Sequence, residues 1–316
     1  MLTRGATGNF ETVQVNTGVL GLSLVPELGG KITSLRDLRT GREWLWRHPR
    51  LPYRRVAADS SYGVLADTGG WDECFPTVAP CQYPSPPWAG APLADHGELW
   101  SQAPVLDVTA SRERASLRTR WQGSALPYTF ERQVDLAAGS ARLRVDYTVT
   151  NPGTHPLQFI WSLHPLLAIE PGMQLSLPPG ARFNRWSGDC LPADSGLSFP
   201  LKVRQHDLAR LPEATAGVAL KLWSDPLAQG QGWAFLRAAD GELQMRWDPA
   251  QLPQVGFWMN LGGWAGDGGA AYYNLGLEPC IGAQDSLAEA VLRHHLFAEL
   301  PPGGVRSWWL EIELTT

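Results

Sequence analysis

Arg142-Leu143-Arg144-Val145-Asp146-Tyr147-Thr148-Val149-Thr150 alternates without a break. Leu143, Val145, Tyr147 and Val149 fall on one side, and Arg142, Arg144, Asp146 and Thr148 on the other. A period of two residues with one apolar side is the pattern of a half-buried antiparallel strand. Asn151-Pro152-Gly153 follows, where proline presets φ and glycine accepts positive φ, so a turn is predicted. A second strand is predicted from about Leu157 to His164, closing a hairpin with the first.

The same pattern recurs outward in both directions. Strands are predicted at Val19 to Val25, Lys31 to Leu35, Glu43 to Trp46, Val218 to Trp223, Trp233 to Arg237, Leu243 to Trp247, Ala271 to Glu278 and Val305 to Leu314. Proline and glycine turns separate most of them. One short helix is predicted at Ser286, where Ser286 and Glu289 have capping-box spacing and Leu287, Ala290, Val291 and His294 follow at helical intervals. The 26 prolines and 33 glycines are spread evenly, with no linker, repeat or low-complexity tract. The expectation is an all-β chain: one large antiparallel β-sandwich over residues 1–316, with few short helices.

Composition narrows the partners. Hydrophobic residues make up 44% and charged residues 18%, a balance that can fill a large core. A net charge of -5 and the absence of Lys/Arg runs argue against nucleic acid and against a membrane surface. The first residues contain no apolar signal-like run, and no segment is long and apolar enough to span a bilayer, so a cytoplasmic location is expected. Cys74, Cys81, Cys190 and Cys280 are too few and too scattered for a disulfide framework and read as buried thiols. The expected partner is a small molecule, bound by a monomer or homodimer.

Two ionisable residues end otherwise apolar strands, where a polar group needs a partner. His164 closes Phe159-Ile160-Trp161-Ser162-Leu163-His164, and Pro165 is expected to end the strand and leave the imidazole at a rim. It reads either as a proton-transfer group or as a histidine bridging backbone groups at a strand end. Glu278 closes Asn274-Leu275-Gly276-Leu277-Glu278. Gly276, on the same face, is expected to leave a gap for a ligand, and a desolvated carboxylate there would suit a general base; the other reading is a carboxylate pairing an arginine at a sheet edge. Gly69-Gly70-Trp71-Asp72-Glu73-Cys74-Phe75-Pro76 is expected to form a binding loop, with Trp71 stacking on a sugar face and Asp72 and Glu73 grasping hydroxyls. Glu73 could equally pair with an arginine. In Asp95-His96-Gly97-Glu98 the neighbouring acids could orient the imidazole.

In order along the chain, Gly29-Gly30-Lys31-Ile32-Thr33-Ser34-Leu35, Gly70-Trp71-Asp72-Glu73-Cys74-Phe75-Pro76, Asp95-His96-Gly97, Ser162-Leu163-His164-Pro165 and Leu277-Glu278-Pro279 with Gly282 and Asp285-Ser286-Leu287 carry a resemblance. With them the chain resembles the galactose mutarotase-like, or aldose 1-epimerase, superfamily. The resemblance implies the supersandwich fold of that superfamily and interconversion of the α and β anomers of an aldose. It assigns Glu278 as general base, His164 as general acid and His96 as a sugar-binding residue near the ring oxygen, and it implies no cofactor and no metal. Lys31 joins the substrate-binding candidates with Trp71, Asp72 and Glu73. The Gly-Arg and Asn-Arg pair of the characterised galactose mutarotases is absent; Gly70-Trp71-Asp72-Glu73 takes its place. For the further substrate-binding aspartate of the family, Asp248 and Asp267 are candidates. Trp258, Trp71 and Trp161 lie closest to the motifs, while Arg54-Arg55 and Arg182 to Arg185 leave a phosphorylated or acidic sugar open.

Three other readings compete. A glycoside hydrolase would need Asp72 or Glu73 with Glu278 across the scissile bond. A zinc hydrolase would use His96, His164 and Glu278 without any closely spaced ligand motif. A sugar-sensing or carbohydrate-binding domain would keep the fold without turnover.

Overall fold

The computed structural model describes residues 1–188, 196–203 and 205–316. Cys190 lies outside them. Among the described residues, the chain is built on two large antiparallel sheets of eleven and eight strands, with three two-stranded sheets beside them. Aromatic rings lock the layers together: Trp161 of the larger sheet sits 4.9 Å from Tyr147 and 5.0 Å from Trp308 of the smaller one. The sandwich and its few short helical turns agree with the sequence. Ser286 caps the last of these turns, accepting the Glu289 N–H at 3.4 Å.

The Arg142–Thr150 strand is where the alternation places it, with Leu143, Val145, Tyr147 and Val149 all buried. Its partners differ from the expected hairpin: it lies between Thr129–Ala137 and Val305–Thr315 in the smaller sheet. Leu157–Phe159 instead pairs with Ala298–Leu300, and Trp161–Ala168 crosses into the larger sheet. The reason is Asn151. Its buried side-chain amide donates to the carbonyls of His155, Leu300 and Pro301, which ties the connection to the turn before the last strand instead of folding it back on itself.

Three more expectations change. Glu43 to Trp46 makes only isolated bridges, to Arg36 and Leu167. Pro165 does not end its strand, which runs on to Ala168. Pairing with Tyr273–Ile281 is formed at Ser162–Cys280 and resumes at Leu166–Gly276; Pro165 and Pro279, which have no N–H to give, both lie in the open stretch between. The expected loop at Gly70 to Glu73 is a central strand, Gly70–Cys74, buried along its whole length. Gly69 leads into it at φ 76°, where a Cβ would stand 2.1 Å from the Trp46 carbonyl oxygen, so only glycine fits.

Candidate active site

Strand register builds the site. Gly70–Cys74, Trp161–Ala168, Tyr273–Ile281, Gln254–Leu261 and Val218–Ser224 are successive neighbours in the larger sheet. The pairs Ser162–Cys280 and Leu166–Gly276 set a register that puts His164 opposite Glu278, and on its other side His164 pairs with Asp72. One step along, Leu166, Gly276, Trp258 and Lys221 form a second row. Side chains of both rows point to the face away from the smaller sheet. There a cleft of about 320 Å³ opens, lined by His164, Glu278, His96, Lys221, Asp285 and a tryptophan wall of Trp186, Trp258 and Trp264. A pyranose ring fits that volume.

Glu278 is 0% exposed, and burial raises its carboxyl above the ordinary 4.5, opposed by the Lys221 charge. Lys221 Nζ lies 3.3 Å from Glu278 Oε2 and 3.0 Å from Asp285 Oδ1. Although burial pulls against it, these two acids hold the ammonium charged. Ser162 Oγ also donates to Oε2 at 3.3 Å, while Oε1 has no partner. The space over Gly276 is not left for a ligand. A Cβ there would meet Glu278 Oε1 at 2.7 Å, so the glycine makes room for the carboxylate itself.

Burial, followed by the charges of His96, Lys221 and Lys31, holds the His164 imidazole well below 6.5, so the ring is neutral near pH 7. Its Nδ1 is buried without a partner. Tyr62 organises both histidines: it stacks on His96 at 4.1 Å and meets the edge of His164 at 5.5 Å. His96 sits at φ 59°, an uncommon conformation for a residue with a side chain, typically costing about 1–3 kcal/mol. Two contacts hold it there. Its N–H donates to the Val78 carbonyl at 2.6 Å, and Nδ1 meets Asp95 Oδ1 at 2.7 Å. Asp95 also accepts the Tyr62 N–H, and despite the upward push of burial the His96 contact keeps its carboxyl below the ordinary value.

The structure thus brings His164, Glu278 and His96 to one cleft and leaves the other expected contacts elsewhere. Trp71 and Glu73 face the opposite side of their strand, between the two sheets. Glu73 accepts hydrogen bonds there from Trp71, Trp161, Tyr147 and Arg132, so the reading of Glu73 as an arginine-paired acid is the one realised. Burial pushes its carboxyl up to about 7 against the pull of Arg132. Trp161 is in the same core. Asp72 and Lys31 form a buried ion pair, and Asp72 accepts the Tyr62 hydroxyl at 2.6 Å. They line a separate space of about 20 Å³ behind Tyr62, so their link to the cleft runs through that ring.

Neither sequence candidate for the further aspartate reaches the cleft. Asp267 pairs with Arg50 at 2.7 Å, and Asp248 accepts the Ala250 N–H in a turn. Asp67, Asp95 and Asp285 line it instead. Arg54, Arg55, Arg182 and Arg185 do not. Lys221 carried a signal that sequence reading passed over. In Val218-Ala219-Leu220-Lys221-Leu222-Trp223 it is a charge inside an apolar strand, and such a charge must have a partner. Tyr62 and Asp67 had no comparable mark.

No protein-family model matches the chain, and no curated protein matches it by sequence. Solved structures do match in shape. A candidate aldose 1-epimerase from Klebsiella pneumoniae superposes with a TM-score of 0.73 at 15% identity, over 98% of this chain and 81% of that one. A galactose mutarotase-like protein from Clostridium acetobutylicum gives 0.69 at 13% identity, over 100% and 98%. Another from Lactobacillus casei gives 0.65 at 16% identity, over 96% and 99%. The chain has the galactose mutarotase-like fold.

Proposed function

We propose that the cleft interconverts the α and β anomers of a neutral aldose. Glu278 takes the proton from the anomeric hydroxyl while the neutral His164 ring gives its N–H proton to the ring oxygen, and the C1 to ring-oxygen bond breaks to leave the open aldehyde, a protonated Glu278 and a transient His164 imidazolate. Rotation about the C1 to C2 bond and the reverse transfers close the other anomer. His96, fixed by Asp95, holds the sugar near the ring oxygen, and the tryptophan wall packs on its C–H face. The observation that carries this reading is the direct opposition of Glu278 and His164 across adjacent strands at the floor of one cleft. A raised carboxyl pKa suits a base working near neutrality.

A neutral substrate follows from charge. Asp67, Asp95, Glu278 and Asp285 line the cleft against Lys221, which two of them already engage. A phosphate or carboxylate would meet an excess of like charge. The hydrolase pairing of Asp72 or Glu73 with Glu278 is not formed, since Glu73 faces the core and Asp72 is engaged by Lys31 and Tyr62. One observation favours a sugar-binding domain without turnover: Glu278 is ion-paired to Lys221.

The test is NMR of freshly dissolved single anomers across aldoses, their phosphates and uronic acids. Accelerated exchange of neutral aldoses, lost in Glu278→Gln with sugar binding kept, supports the enzyme. Saturable binding without acceleration selects the binding domain.

A further inference from the structure

Cys74 takes no part in anomer exchange, yet it sits under the histidines that do. It shares the cleft-side face of its strand with Asp72 and pairs in register with Ser162. Its sulfur and one ring nitrogen each of His96 and His164 lie within 4.8 Å of one another. Two further features match what a metal ligand set needs. His96 Nδ1 meets Asp95 Oδ1 at 2.7 Å, which leaves Nε2 to ligate and matches the carboxylate–histidine arrangement that orients a ligating imidazole. His164 carries a buried ring nitrogen with no partner.

We propose that Cys74, His96 and His164 form a binding site for a borderline-soft divalent cation of the Zn²⁺ class, with the fourth position open to the cleft. One sulfur and two imidazole nitrogens are a donor set such ions favour over Mg²⁺ or Ca²⁺. Tetrahedral coordination sets ligand atoms roughly 3.3–3.7 Å apart, so the three side chains close on the ion by movements on the order of 1 Å. Binding releases the Cys74 thiol proton to solvent and occupies the imidazole lone pairs. The ion and a sugar then compete for His96 and His164, and the bound ion inhibits. Binding stands independently of the anomer-exchange reading; inhibition rests on it.

The full chain, kept reduced, is titrated with Co²⁺ as an optical probe. The expected result is one ion per chain, a near-ultraviolet thiolate-to-cobalt charge-transfer band and the visible bands of four-coordinate cobalt, all abolished by Zn²⁺. Cys74→Ser loses the charge-transfer band and Cys81→Ser keeps it. Because Cys74 is fully buried, two variants on the cleft wall serve as a second line. Asp95→Asn lowers Zn²⁺ affinity roughly 10- to 100-fold, and His96→Gln lowers it at least as much. A band that persists in Cys74→Ser, a band lost in Cys81→Ser, unchanged affinity in His96→Gln, or no one-to-one binding overturns the proposal. One-to-one binding with the expected band in a protein that exchanges no anomer upholds the metal site and removes the enzyme reading.

Discussion

Glu73 and Glu278 are both buried glutamates of the larger sheet, and burial raises both carboxyls above their ordinary value. Glu73 faces the smaller sheet, where four donors from Trp71, Trp161, Tyr147 and Arg132 converge on its two oxygens. Glu278 faces the cleft with one oxygen held by Lys221 and Ser162 and the other bare. A satisfied buried carboxylate is a structural part, because moving it would orphan every donor around it. A half-satisfied one has spare capacity to take a proton. Burial alone does not separate structure from chemistry; the count of partners does.

Breaking each carboxylate should therefore give opposite phenotypes. Glu278→Gln should slow anomer exchange by roughly 10²- to 10⁴-fold, the usual worth of one positioned proton transfer, with the melting temperature close to wild type. Glu73→Gln should lower unfolding free energy by about 3–5 kcal/mol in a denaturant titration, because Arg132 loses its buried partner, while the molecules that stay folded keep exchange. Loss of exchange in fully folded Glu73→Gln would break the contrast.

Finer changes sharpen it. Gly276→Ala puts a Cβ 2.7 Å from Glu278 Oε1 and should cut exchange roughly 10- to 100-fold by displacing the base. The pH profile follows from the raised Glu278 pKa. The base works when deprotonated, so exchange should fall as pH drops through a midpoint above 4.5. Asp285 and Lys221 act on that midpoint from opposite directions, with His96 assisting Lys221. Lys221→Met should move it up, and an unmoved midpoint would remove Lys221 from the account. The smallest effect is expected for Trp264→Ala, which should raise KM by roughly 2- to 10-fold through loss of about 0.5–1.5 kcal/mol of ring contact, with kcat held.

Much of this was legible from residue order. Alternation gave the Arg142–Thr150 and Val305–Thr315 strands, and the polar ends of two apolar strands gave His164 and Glu278. Alternation does not report pairing, however, and the hairpin failed because one buried asparagine amide redirects the chain. The Gly70–Cys74 motif was recognisable, yet which of its acids faced the core was not, since Asp72 and Glu73 differ only in which side of the sheet they take. Reading the segment as a loop lost the alternation that would have separated them.

Residue order by itself determined the β architecture, the spread of turns and the choice of His164 and Glu278 as candidate proton-transfer residues, because side-chain period and the cost of an unpaired polar group act locally along the chain. Only the tertiary structure decided that Glu73 is scaffold, that Lys221 bridges Glu278 and Asp285, and that Cys74 lies beneath the two histidines. Those facts depend on register between strands far apart in the chain, and a shift of one residue would have exchanged core and cleft.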